Sequence, residues 1–344
     1  GTAAAVIDAY ADIDAGLGNE AITINDGSAS VAQAASLDDL TTGVVTATIT
    51  EGDLSTLSSL TDDNNNNVYT VTITDASVAA ATISTIHAKN VGGTFAFHND
   101  VATVTGTAAA VITAYSQIDS GKGDEAITIN DGSVSVAQAR SLNALTTGVV
   151  TGTITAGTRI SAILHADTGI TESGGSNAYT ITVHSDDATA TAANLTSLNA
   201  LTTVNVDAGE VTTVTGSISQ VQTLYGNAGV SNLGNEAITV NDTGSVAAAD
   251  LTTVGDYSTG TVTASGVETI TGTAVAVIAA YADIDAGLGN EAITINSGSV
   301  TVAQARSLNA LTTGIVTGTI TAGTRISAML HADTGITETG GSNA

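Results

Sequence analysis

Large blocks of this chain recur, and that repetition restricts the folds open to it more than any single residue does. Gly272 to Ala344 matches Gly106 to Ala178 at 61 of 73 positions, a step of 166 residues. Residues 1–26 match 272–297 at all but three. A shorter, degenerate copy begins at Gly216, where Glu236-Ala-Ile-Thr-Val-Asn-Asp242 returns without the block that follows it elsewhere. Such self-similarity marks repeat architectures, in which one unit buries its apolar face only against its neighbours. The units run 1–105, 106–215, the short 216–271 and the partial 272–344, and are expected to form one continuous solenoid.

A smaller rhythm runs inside each unit. Short segments alternate between aliphatic residues and Thr, as in Ala21–Asn25, Val45–Thr50, Tyr69–Thr74, Ala126–Asn130, Val150–Thr155, Tyr179–Val183, Val211–Thr215, Ala237–Asn241, Val267–Thr271, Ala292–Asn296 and Val316–Thr321. Period-two alternation rich in Ile, Val and Thr predicts strands with one buried and one open face. Between them lie Ala-rich stretches, among them Thr2–Ile13, Ser30–Leu40, Thr107–Ile118, Ser135–Leu145 and Thr273–Ile284. In the first, Val6, Tyr10 and Ile13 share one helical face. Ser30 with Gln33, Ser135 with Gln138, Ser217 with Gln220 and Thr301 with Gln304 read as capping boxes. Gly43, Gly148 and Gly314 follow the next helices and suggest left-handed exits.

Strand and helix alternate every 22–32 residues or so, which predicts parallel strands with helical crossovers. The fold class expected is an α/β repeat solenoid, one strand and one helix per coil, on the order of 60 Å long at about 4.8 Å per strand. Thr94–Thr105 and Val204–Thr215 carry internal breaks and read as bent or doubled strands at unit boundaries. The doubly wound nucleotide-binding fold needs a Gly-rich loop after its first strand. Here Gly16-Leu-Gly18 and Gly121-Lys-Gly123 follow helices and precede strands, so that fold is excluded. Pro, Cys and Trp are absent and aromatics make up only 3%. A core of Ala, Val, Ile and Leu suits thin, regularly spaced layers.

The net charge of −27, from 33 acidic against 6 basic residues, argues against nucleic acid, whose phosphates need clustered cations. No apolar run reaches the roughly 18 residues of a membrane helix, so membrane insertion is not expected. A hydrophobic fraction of 42% argues against disorder.

The runs Gly1-Thr-Ala-Ala-Ala-Val-Ile-Asp-Ala-Tyr10 and Gly16-Leu-Gly-Asn-Glu-Ala-Ile-Thr-Ile-Asn-Asp26 resemble Ala/Thr-rich tandem repeats of giant secreted bacterial cell-surface proteins, notably of marine cyanobacteria. The likeness covers nearly the whole chain. It implies a secreted or cell-surface location and roles in adhesion, coat formation or surface structure. Of the Gly/Asp nonapeptide calcium repeats that often accompany such proteins, with their G-G-x-G-x-D pattern, this sequence has none.

Three kinds of site come into question. Calcium takes hard oxygen ligands on flexible turns, which nominates Asp12, Asp14, Asn19 and Glu20, then Asp119, Asp124 and Glu125, then Asp283, Asp285, Asn290 and Glu291. The competing reading is a polar turn that satisfies its own amides. Ice or another flat surface could meet ranks such as Thr46-Ala-Thr48, Thr70-Val-Thr72, Thr151-Gly-Thr153 and Thr317-Gly-Thr319, although Thr is also an ordinary open-face strand residue. For catalysis, Arg159 and His165 recur as Arg325 and His331, six residues apart on one predicted helix. No nucleophile motif accompanies them, so a surface ion pair is the simpler account, and an enzyme is not expected. Asn64–Asn67, Ser173–Asn177 and Thr339–Asn343 read as loop tips. No cofactor is expected, with Ca²⁺ the exception that the turns allow. The partners expected are copies of the chain itself, in a filament or coat, and a surface glycan is a further candidate.

Overall fold

The computed structural model describes residues 1–64, 66–90, 92–171, 177–331 and 335–336. The protein is α/β, and every strand pair among the described residues is parallel. The described residues fall into two compact units: residues 1–158, 165–180 and 201–203, and residues 159–164, 181–200 and 204–344.

In the first unit, sheet I runs Ile22–Thr23, Val45–Thr48, Val68–Ile73, Thr94–Phe97. Sheet II runs Ser77–Ala79, Thr103–Gly106, Ala126–Ile129, Val150–Thr153, Ala178–Thr180. Neighbours in space follow one another along the chain, with Ile22 opposite Val45 and Ile127 opposite Val150. Alternation decides which face is buried. Ile22, Ile24, Ile49, Val71 and Ile73 are in the core, while Thr23, Thr48, Thr70 and Thr72 are exposed.

In the second unit, sheet III runs Thr189–Thr191, Thr213–Gly216, Ala237–Val240, Val262–Thr263, and sheet IV runs Gly244–Ala247, Val267–Gly272, Ala292–Ile295, Val316–Thr317. Val206–Asp207 and Val230–Ser231 form a separate pair. The doubled strands expected from sequence are present as Thr94–Phe97 with Thr103–Gly106, and as Val206–Asp207 with Thr213–Gly216. Doubling also occurs at Val68–Ile73 with Ser77–Ala79 and at Ala237–Val240 with Gly244–Ala247. In each of these the two halves join different sheets, so such a turn carries two strand segments rather than one.

The helices begin where local chemistry starts them. All four capping boxes form: the Ser30, Ser135, Ser217 and Thr301 hydroxyls each accept from the amide three residues on, and the Gln side chain accepts from the cap amide. Each such cap is worth about 1 kcal/mol. Helices present Ala to the core, as at Ala34, Ala80, Ala114, Ala139, Ala192 and Ala280. Small side chains there let helices lie close to the sheets, so that a core mainly of Ala, Val, Ile and Leu takes only a few aromatics, Tyr69, Phe95, Phe97, Tyr115 and Tyr179 among them.

The exits differ from the sequence expectation. Gly43, Gly148 and Gly314 are not left-handed. The helices end on extended residues, Thr41, Thr146 and Thr312. The glycines serve close approach instead: a Cβ at Gly43 would lie 2.3 Å from the Glu20 carbonyl oxygen, and one at Gly314 2.3 Å from that of Glu291.

Candidate functional site: the acidic turn before each strand

The turn that leads into the strands Ile22–Thr23, Ala126–Ile129, Ala237–Val240 and Ala292–Ile295 is built alike in all four places. A left-handed glycine opens it, Gly18, Gly123, Gly234 or Gly289, with φ of 127°, 124°, 126° and 130°. Two residues later a glutamate folds back onto the turn. Glu20 Oε2 accepts from the amides of Gly18 (2.7 Å) and Asn19 (3.1 Å). Glu236 Oε2 accepts from Gly234 (2.7 Å) and Asn235 (3.0 Å), and Glu291 Oε2 from Gly289 (2.8 Å) and Asn290 (3.1 Å). Glu125 Oε2 accepts from the Gly123 amide and the Tyr115 hydroxyl, both at 2.9 Å. Tyr225 donates to Glu236 in the same way. Charge-assisted bonds of this kind are what make a buried carboxylate tolerable, and Glu125, Glu236 and Glu291 are each only 2% exposed.

The main chain of the same glutamate binds the next coil. Its carbonyl accepts from Thr41, Thr146, Ser258 or Thr312 at 2.6 Å. That hydroxyl in turn accepts from the amide of Gly43, Gly148, Gly260 or Gly314 at 2.8–3.0 Å. The electrostatics follow the geometry. The Gly18 amide first, then the amides of Glu20 and Asn19 and the Tyr10 hydroxyl, hold the Glu20 carboxyl below its ordinary range. Burial, then the charge of Glu125, pushes the Tyr115 hydroxyl upward. A carboxylate whose oxygen is engaged by fixed amides acts as an acceptor in a turn.

The other residues nominated for calcium are dispersed. Asp12, Asp14, Asn19, Asp119, Asp124, Asp285 and Asn290 are exposed, and Asp283 is half-buried at the end of its helix. Asp119 Oδ2 accepts from the Phe95 amide (2.8 Å) and Asp285 Oδ2 from the Val262 amide (2.7 Å), so each reaches back to the strand of the preceding coil. Among the described residues, no group of three or more His, Asp or Glu side chains is placed to hold a metal ion.

Asp119 and Asp285 belong to a wider set that the sequence reading missed. Asn67, Asn90 and Asn177 accept from the amides of Val45, Tyr69 and Val150 at 2.7–2.9 Å. Helix starts receive the same treatment, where orphan amides and the helix dipole favour an anion. Glu51, Asp75, Asp187 and Asp242 accept from the amides of Val31, Leu54, Ile160 and Ile218 at 2.6–3.0 Å. Each clamp comes from 20–27 residues further along the chain. The signal that could have found them is a lone Asp, Asn or Glu placed one coil after a strand or helix start. Asn67 and Asn177, read from sequence as solvated loop tips, are buried clamps. Asn65, residues 173–176 and the Thr339–Asn343 tract lie outside the described residues.

Arg159 and His165 do not share a helix, because the helix there is only Ile160–Ile163. Arg159 pairs with Asp186 at the surface. His165 Nδ1 accepts from the amides of Asp167 and Thr168 (3.2 and 3.3 Å), closing a turn. The Thr faces are exposed at Thr48, Thr70, Thr72, Thr151, Thr153, Thr317 and Thr319. Thr191, Thr215, Thr239 and Thr263 align across sheet III, and Thr48, Thr70 and Thr94 align in sheet I, whereas Thr46 faces Val68.

Fold and turns together define an α/β protein of parallel strands whose acidic side chains accept from backbone amides of strands and helix starts earlier in the chain. No helix among the described residues is long and apolar enough to cross a membrane. The chain matches no protein-family model, no curated protein and no solved structure.

Proposed function

We propose that this chain is a structural repeat module of a large secreted or cell-surface protein, built as an α/β solenoid with one helix and one or two strand segments per coil. In this reading it self-associates into an extracellular filament, coat or adhesin stalk and has no reactive centre. The observation that carries the proposal is the coil-to-coil clamp: the acidic and amide groups of many coils are spent on backbone amides of the coil before. That use accounts for part of an acidity that could otherwise suggest ligand binding. Repetition of the same clamp fits cumulative nearest-neighbour stabilisation, which needs no disulfide, and open strand edges favour association with further copies. The extracellular location rests on the resemblance of the repeats to those of giant bacterial surface proteins. Electron microscopy of the purified protein and of native material tests the reading. Extended fibres or a regular coat are expected; dispersed compact particles that turn over a substrate would overturn it.

A further inference from the structure

Buried polar atoms are as a rule hydrogen-bonded, and one that is not points to a missing water or ion. Four such oxygens fall within residues 61–69: Thr61 Oγ1, Asp62 Oδ2, Asn66 Oδ1 and Tyr69 Oη are buried and have no hydrogen-bond partner. Beside them stands Asp38, on the helix Val31–Leu40 and only 3% exposed. Asn67 ties the two carboxylates together, its amide donating to Asp62 Oδ1 (3.3 Å) and its side chain to Asp38 Oδ1 (2.8 Å). Asp62 Oδ1 also accepts from the Asn66 amide (2.9 Å), and Asp38 Oδ2 accepts from the Asp63 amide (3.2 Å). Tyr69 is fully buried. Burial first, then the charges of Asp38 and Asp62, push its hydroxyl upward, which places that hydroxyl near both carboxylates.

The matched place in the next long repeat is closed by its own side chains. Asn143 stands where Asp38 does, and the Tyr179 hydroxyl donates to Asn143 Oδ1 at 2.5 Å. Asp38 instead has both oxygens taken by N–H groups, and Tyr69 is left unbonded. Among the described residues, no Lys, Arg or His is ion-paired with Asp38 or Asp62.

We propose that these oxygens form a binding site for a monovalent cation, Na⁺ or K⁺. A water satisfies the hydroxyls but adds no charge, and buried carboxylates are as a rule paired or coordinated to a metal. Only one carboxylate oxygen, Asp62 Oδ2, is unspent, and the other three free oxygens are neutral, so a single positive charge suits the set. Ca²⁺ takes roughly six to eight oxygens, more than are free here. Bound in this place, the cation holds the helix Val31–Leu40 to the strand Val68–Ile73.

Amide exchange of the 344-residue chain in NaCl, KCl and choline chloride at equal ionic strength tests the site, since choline is too bulky to enter it. A cation held only by the closed state suppresses opening roughly tenfold at about 150 mM if its dissociation constant is about 15 mM. Slowing of that order is expected at Asn67 and Tyr69 in Na⁺ or K⁺, with no change at Tyr179. Asp62→Asn should erase the difference between salts, whereas Asp39→Asn, at an exposed neighbour, should keep it. Equal exchange in all three salts would mean that water alone fills the space and would overturn the proposal. So would equal slowing at Tyr69 and Tyr179, or the same slowing by about 1 mM Ca²⁺ in choline chloride. The native chain alone decides these outcomes, whether or not the Asp62 variant folds.

Discussion

The helices Ala3–Ala11 and Ala108–Gln117 carry nearly the same apolar face and meet different fates. Val111, Tyr115 and Ile118 are in the core. Val6 and Tyr10, at the matching places, are only half-buried, and Ile13 is 49% exposed. The second helix packs against both Ala80–His87 and Val136–Leu145, whereas the first packs against Val31–Leu40. Burial here is a property of neighbours: the face is buried on the helix packed on both sides and left partly open on the helix packed on one. The turn that follows shows the same contrast, since Glu125 is buried beneath Tyr115 while Glu20 is half-buried beside Tyr10.

Substitution at matched positions should widen or erase that contrast. The largest effect is expected at the ring. Tyr115→Ala should cost about 3–5 kcal/mol, as for other large buried side chains, and Tyr10→Ala less than half of that, by chemical denaturation followed by circular dichroism. Glu125→Ala comes next, because it leaves the Gly123 amide and the buried Tyr115 hydroxyl without their acceptor, at a cost of about 2–4 kcal/mol. Glu20→Ala should cost clearly less, and equal losses would mean that coverage does not govern the turn. A smaller effect follows from titration. The Glu20 carboxyl is held below its ordinary value, so its contribution is fully present above 4.5 and is lost as pH falls through the depressed range. The gap in denaturation midpoint between the native chain and Glu20→Gln should therefore close on acidification; a gap that widens has the wrong sign. The smallest change is expected from calcium. With one oxygen of each Glu engaged by turn amides and Asp119 and Asp285 bound to strands, millimolar Ca²⁺ or chelator should move Tm by less than about 1 °C. A clear rise reversed by chelator would return the turns to the role of metal ligands.

What could be read from sequence was local, and what was misread depended on a neighbouring coil. The pairs Ser30 with Gln33 and Ser135 with Gln138 were legible because a capping box closes within four residues. The strands were legible from alternation, and even the break in Thr94–Thr105 was interpretable. Gly43 was misread as a helix exit because its reason, the Glu20 carbonyl oxygen, belongs to the preceding coil. Asn67 and Asn177 looked like loop residues because nothing nearby in sequence announces the amides of Val45 and Val150 that they accept from. The Arg159–His165 helix was drawn too long. Its C-terminal turn is closed by the His165 side chain on local amides, a competition with helical bonding that propensity alone does not reveal. The acidic turn was picked out correctly as a recurring feature, while its partner groups, backbone amides, were visible only in three dimensions.

Amide exchange of the native chain, compared between residues 108–154 and 274–320, tests the dependence on neighbours most directly, because the two stretches share nearly all of their sequence. Slower exchange is predicted for Val150–Thr153, paired with strands on both sides, than for Val316–Thr317, the last described strand of sheet IV. Equal protection of the two would show that each repeat is stable by itself, and the account of coils held by the next coil would be wrong.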